Sequence, residues 1–172
     1  MTLDELYAKM ATPDLDRMVN IVGGVGQNMF KPALTIAPDG EPYLYRWHLI
    51  PRSDDANVYF HLQVGDDPVR PPHDHPWDNT SVILVGGYDE IWYVPGEMAV
   101  ICREFRKGDF VSRKAEEAHR LLLPEGISYT MTIFTTGPKI RDWGFWYSDG
   151  WHSHTRHVNQ EDPGRHVYEE EK

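Results

Sequence analysis

The 172-residue chain has a single cysteine, Cys102. That excludes an intrachain disulfide and fits a reducing compartment. Cys102 falls in the strand-like stretch Met98 to Phe105 and reads as a buried small hydrophobe rather than a nucleophile. No apolar run approaches the ~18 residues of a membrane span. The start, Met1-Thr2-Leu3-Asp4-Glu5, lacks the basic residues and apolar stretch of a signal peptide, so a cytoplasmic protein without a membrane partner is expected. Basic residues are scarce: 17 Lys and Arg stand against 27 Asp and Glu, for a net charge of −10. Nucleic acid is therefore not an expected partner, because binding it requires a basic footprint. Part of the acidity is the end Glu169-Glu170-Glu171-Lys172, read as solvated. The bend Gly23-Gly24-Val25-Gly26 lacks both a preceding strand and a closing Gly-Lys-Ser/Thr, so it is a helix C-cap and hinge, not a phosphate loop.

Helical pattern is confined to residues 1–22. There Thr12 reads as an N-cap, Pro13 as N1, and Leu15, Met18, Val19 and Val22 recur at helical spacing. From residue 42 onward the pattern is of strands: 42–50, 56–64, 79–85, 88–94, 98–105, 109–113, 118–123, 128–136 and 142–147. Turn signals such as Gly65-Asp66-Asp67-Pro68, Gly86-Gly87, Pro95-Gly96 and Lys107-Gly108-Asp109 separate them. Short strands at this spacing predict an all-β sandwich or barrel. Aromatic residues at 12%, with six tryptophans, suit large side chains pointing inward. The expected organisation is a helical extension over 1–40, a β-barrel over 41–158 and a loose tail over 159–172.

The most informative stretch is Arg70-Pro71-Pro72-His73-Asp74-His75-Pro76-Trp77. An extended chain points alternate side chains the same way, so His73 and His75 converge. His119, in the strand-like Ala118-His119-Arg120-Leu121-Leu122-Leu123, supplies a third imidazole if it faces them. Three neutral imidazoles hold Fe, Zn, Mn, Ni or Cu and leave open positions for water or substrate. The plainer alternative makes His73 and His75 loop histidines beside prolines and His119 a satisfied core residue.

These residues resemble the cupin superfamily. Its first motif has His-x-His, three or four residues, a glutamate, six residues and a glycine. Here His73 and His75 lead in register through Asn79 to Gly86. Its second motif runs from a glycine to a histidine, matched at the ends by Gly108 and His119, with Lys114 and Glu116 in place of the internal proline and glycine. Asp67 occupies the position of the leading glycine. The resemblance implies a single double-stranded β-barrel, or jelly roll, with one divalent transition metal at its centre. With Asn79 where the family carries glutamate, the fourth ligand is a weak amide oxygen or is absent. Asp74 is the alternative oxygen donor, although strand alternation turns it away. Losing the carboxylate makes the shell more cationic. In this the chain looks like the three-histidine iron dioxygenases acting on thiols and diketones, with Fe2+ the implied metal. More narrowly, Tyr45-Arg46-Trp47-His48-Leu49-Ile50-Pro51-Arg52, His73-Asp74-His75-Pro76-Trp77, Gly86-Gly87-Tyr88-Asp89-Glu90, Ala118-His119-Arg120-Leu121 and Trp143-Gly144-Phe145 are similar to uncharacterised cupin-like proteins of phages and prophages.

Other residues are candidates for substrate. Arg46 and His48 share one strand face; Arg46 is either a clamp for a carboxylate or phosphate or a surface cation. Glu90 is either a proton shuttle or the partner of an arginine such as Arg46. Trp77 walls the metal or packs. Trp143, Phe145, Trp151, His152, His154 and His157 form a late cluster, read as a lid over the barrel mouth or, through His152 and His154, a second metal pair; Gly150 and Ser153 suggest a loop there. The expected function is a mononuclear Fe(II) dioxygenase or oxidoreductase acting on a small anionic molecule. The alternatives are a Zn or Mn isomerase or hydrolase, and a non-catalytic binding module. A homodimer is the expected assembly.

Overall fold

The computed structural model describes residues 2–37, 40–93 and 100–155. The turn expected at Pro95-Gly96, His157 and the tail from 159 lie outside them. Helix α1 (Leu3–Tyr7) opens with a capping box: the Glu5 N–H donates to the Thr2 hydroxyl, and the Thr2 N–H donates to the Glu5 carboxylate. Helix α2 (Thr12–Val22) is capped at Ala11 with no side-chain bond, so Thr12 is not the N-cap but the first helical residue. Pro13 still lies in the first turn, where its missing N–H removes no helical bond. Met18 and Val22, four apart, are fully buried, whereas Val19 is 44% exposed because it sits about 100° further round the helix.

The strands are β1 (Leu34–Ile36), β2 (Leu44–His48), β3 (Asn57–Gln63), β4 (Asn79–Val85), β5 (Gly87–Tyr93), β6 (Val100–Arg106), β7 (Phe110–Arg113), β8 (Ala118–Leu122), β9 (Thr130–Thr136), β10 (Gly144–Tyr147) and β11 (Gly150–Ser153). They form antiparallel sheets of order β1-β2-β3-β9-β4-β7 and β6-β5-β8, with a β10-β11 hairpin. The segment assigned to a helical extension thus also contributes a strand, β1, paired with β2. Gly150 and Ser153, read as loop, form the return strand β11. Gly150, at φ 120°, supplies the turn conformation that glycine tolerates.

The larger apolar core lies between the helices and one face of the six-stranded sheet. Leu6, Tyr7, Met18 and Val22 meet Tyr45, Trp47, Phe60, Leu62 and Met131 there. Trp47 is fully buried, and its indole N–H donates to the Asn28 carbonyl at 3.0 Å. Strand alternation sends Arg46, His48, Tyr59, His61 and Phe134 to the opposite face, toward the second sheet. The largest aromatics of β2 and β3 therefore lie under the helices and not inside the barrel. The sheets are joined inside by Ile83, Tyr88 and Val111, packed with Phe105 and Leu121. Cys102, on edge strand β6, is exposed rather than buried, because the side chains that alternate with it, Arg103 and Phe105, take the inner face. No helix among the described residues is long and apolar enough to cross a membrane.

Candidate metal centre

His73 and His119 exchange both backbone hydrogen bonds, at 3.0 and 2.9 Å, as a facing antiparallel pair. Facing residues project their side chains to the same side. The His75 N–H donates to the Ala115 carbonyl at 3.0 Å, and the His75 ring lies 5.1 Å from that of His73 and 5.0 Å from that of His119. The ligand-type nitrogens of His73, His75 and His119 all lie within 4.8 Å of one another. Among the described residues no other trio of this kind converges. The Nε2 atoms of His75 and His119 are 3.0 Å apart. Burial first, then the neighbouring histidines and Arg113, holds the His75 ring neutral well below the ordinary histidine range; burial and then Arg113 do the same for His119.

Two of the rings, His119 and His75, are held by neighbours. His119 Nδ1 lies 2.5 Å from Glu90 Oε1, so an Nδ1 proton donated to that oxygen leaves the Nε2 lone pair facing His73 and His75. Glu90 is fully buried, and the same oxygen accepts from Arg113 Nε at 2.5 Å. Arg113, itself buried, also donates to the Tyr88 hydroxyl at 3.1 Å and toward Ser81 Oγ at 3.4 Å. The arginine beside Glu90 is thus Arg113, a residue sequence reasoning missed; nothing local ties it to a partner 23 positions away. Trp77 stacks on His75 with centroids 4.9 Å apart and planes inclined by 11°.

Asp74 points away from the cluster. Its fully buried carboxylate accepts from Arg141 Nη1 at 2.6 Å, the Gly144 N–H at 2.7 Å and Trp151 Nε1 at 2.8 Å, anchoring the C-terminal hairpin. Asn79 opens β4 opposite Arg113 and Thr136. It is buried, and both of its amide atoms, like the Thr136 hydroxyl, lack a partner. On the other wall Arg46 Nε donates to His61 Nε2 at 2.8 Å, and the guanidinium sits 4.6 Å from the Tyr59 ring centroid. Burial and then Arg46 keep His61 neutral. Phe134 stacks on His61 at 4.9 Å and lies 6.3 Å from the His75 ring, so the Arg46 face does line the interior. His48 meets Tyr59 edge-on at 5.1 Å. In the late cluster His154 stacks on Trp143 and bonds its carbonyl, while His152 bonds Asp149, so the two imidazoles turn to separate partners.

The donor set fits a divalent ion. Neutral imidazole nitrogens 3.0 Å apart match two ligands about 2.1 Å from one ion at roughly 90°; a tetrahedral angle would separate them by about 3.4 Å. The unpartnered Asn79 amide is a further buried donor group in the register of the cupin glutamate. These residues could hold one divalent ion.

No family model and no curated protein matches the chain. Solved structures do. DMSP lyase DddQ from Ruegeria pomeroyi DSS-3 is 18% identical at a TM-score of 0.50, over 68% of this chain and 58% of its own. The FeII HppE structure is 14% identical at 0.50, over 75% of this chain and 77% of its own. A cupin superfamily protein from Desulfitobacterium hafniense DCB-2 is 14% identical at 0.42, over 61% of this chain and 97% of its own. At these identities the likeness is one of fold: the chain has the all-β, cupin-type barrel fold that it shares with FeII HppE and DddQ, preceded by a short helical N-terminus.

Proposed function

We propose that the protein is a metal-dependent enzyme holding one divalent transition metal, Fe2+, on His73, His75 and His119, and acting as a mononuclear non-haem oxygenase or oxidoreductase on a small anionic molecule. The observation that carries this reading is the convergence of three imidazoles with no carboxylate among them. Imidazole ligands suit iron as well as zinc, and a three-histidine set without a carboxylate leaves positions open for O2 and substrate. Bound Fe2+ would supply open positions at which O2 and an anionic group are activated. The chain's own residues do the rest. Glu90 fixes the His119 tautomer, Trp77 holds the His75 plane, and Asn79 offers an amide to the same interior. Arg46, His48, Tyr59 and Phe134 form the wall that a substrate would meet.

Elemental analysis of protein purified without added metal tests this first, followed by O2 uptake by iron-loaded protein against thiols, diketones and amino acids. Stoichiometric iron lost in H73A, H75A and H119A, together with uptake on one panel, is the expected result. The likeness to a protein described as a lyase supports a second reading, in which Zn or Mn acts as a Lewis acid in elimination, isomerisation or hydrolysis. Zinc or manganese at one per chain with no O2 uptake would select it. Protein that binds no metal at all would leave a binding module. A cytoplasmic homodimer related to phage cupin-like proteins completes the proposal, and sedimentation velocity checks the assembly.

A further inference from the structure

Two side chains beside the histidine cluster have unused binding capacity. Trp92 follows Glu90 by two residues on β5, so both face the interior, and Trp92 lies directly across from His119 in β8. Cβ atoms of such facing pairs are about 4.5–5.5 Å apart, which makes the indole a flank of the His119 ring. Its Nε1 is buried and donates to nothing. Arg103, on β6, lies opposite Glu90. One Glu90 oxygen accepts from Arg113 and His119, and the Arg103 guanidinium does not reach the other but lies over the Trp92 ring, 4.1 Å from its centroid. Among the described residues the Arg103 side chain makes no ion pair or hydrogen bond. The other interior arginines are engaged: Arg46 with His61 and Tyr59, Arg113 with Glu90, Tyr88 and Ser81.

We propose that Arg103 and Trp92 form an oxyanion subsite, which receives the carboxylate or phosphoryl oxygens of a substrate whose other end reaches the three histidines. The guanidinium fork matches two oxygens of one such group, and stacking on the indole fixes its plane before the ligand arrives. The Trp92 N–H supplies a third donor. In a chain of net charge −10, a cation with no acidic partner among the described residues is a local point where an anion is attracted and not repelled. The subsite rests on the metal-enzyme reading only for what the far end of the substrate does.

The test is calorimetric titration of the full chain, as purified, with inorganic phosphate and with acetate at fixed ionic strength, with metal content measured on the same samples. Arg103→Met should weaken both anions about tenfold or more, and Trp92→Phe about threefold, with metal content unchanged in each. Arg103→Lys, which keeps the charge and loses the planar fork, should fall between wild type and Arg103→Met and covers the case in which the methionine variant misfolds. Lys107→Met, removing an exposed charge on the same edge, should bind as wild type does. Wild type that binds neither anion, Arg103→Met within about twofold of wild type, or loss of binding in Arg46→Met instead, overturns the subsite. Absence of metal from wild type would sink the enzyme reading while leaving these comparisons intact.

Discussion

Glu90 is the residue whose substitution separates the stability of the barrel from the competence of its centre. One of its oxygens accepts from both Arg113 Nε and His119 Nδ1, at 2.5 Å each, and the other is buried without a partner. In Glu90→Gln the amide oxygen can replace the first of these. The NH2 group then occupies a position with no acceptor, and Arg113, 2% exposed at its side chain, loses its counter-charge. Removing one member of a buried ion pair costs about 3–5 kcal/mol. At about 2–4 °C per kcal/mol for a chain of this size, the melting temperature should drop by roughly 6–20 °C. Replacing both members with apolar residues of similar volume, Glu90→Leu with Arg113→Met, should recover most of that, since no uncompensated charge remains. Metal affinity should not recover. Without an acceptor on Nδ1 the His119 ring is free to change tautomer and swing, a loss of about 10–100-fold. Urea unfolding of metal-free protein and a competitive chelator titration read the two effects separately. A double variant that regains full metal affinity would refute the assignment of Glu90 as the positioning residue for His119. A Glu90→Gln protein as stable as wild type would refute the buried-pair energetics.

Acid should destabilise the metal-free chain through its buried imidazoles. His61, His75 and His119 stay neutral in the fold well below the ordinary value of 6.5. When unfolded they protonate near it, so the unfolded state binds more protons below that pH and stability falls as pH drops. Each group steepens the slope by up to about 1.4 kcal/mol per pH unit, so melting temperatures should be level in this respect from pH 8 to 7 and decline steeply from 6.5 to 5; a flat profile there would count against neutral burial. Asp74→Asn should cost about 3–5 kcal/mol and expose the β10–β11 hairpin to proteases, because Arg141 loses its charge partner at 2.6 Å; a hairpin as resistant as wild type would contradict the anchor. Gly144→Ala should fail to fold stably, since an added Cβ would overlap the His152 carbonyl oxygen across the hairpin, and a normal melting curve would show that the strands can separate. Asn79→Asp should raise divalent-metal affinity about tenfold by placing a carboxylate at the buried, unpartnered amide; unchanged affinity would mean that this side chain does not face the ion.

All nine strands expected from alternation and turn residues are present, because period-two patterning and Gly/Pro punctuation are local signals. The two strands not foreseen are short. β1 has three residues at a sheet edge, and β11 follows Gly150 in a segment whose composition is that of a loop. Thr12 was misplaced by one residue because a proline is acceptable anywhere in the first turn. The His-x-His pair and its distant partner were legible, since one strand's alternation converges the first two and a strand register carries the third. What was not legible is which face of each strand is inside. Alternation separates Arg46 from Trp47, but hydrophobicity alone assigns Trp47 to the interior.

The reversal has a physical cause. The N-terminal helices cover the outer face of the six-stranded sheet, and the buried area of Trp47, Phe60, Leu62 and Met131 is gained there. A single fully buried tryptophan removes about 150–250 Å² from water, worth about 4–6 kcal/mol at the usual area coefficient. With the larger apolar core placed outside the barrel and only a small cluster inside, much of the interior can be polar. It can be filled with His61, Arg46, Glu90, Arg113 and the three-histidine cluster, of which His61 and His119 are held by Arg46 and Glu90. Desolvation of this kind keeps His61, His75 and His119 neutral, and it strengthens the charge-assisted bonds around them. Truncating residues of the outer core should therefore lower stability while leaving metal stoichiometry in the surviving folded fraction intact. Truncating the interior should do the opposite wherever no buried charge is orphaned. His73→Ala is the clean case, because its ring is only partly buried and Glu90, Arg113 and Asp74 all keep their partners. It should lose metal at nearly wild-type stability, and a large loss of stability in that variant would show that site and scaffold are one unit after all.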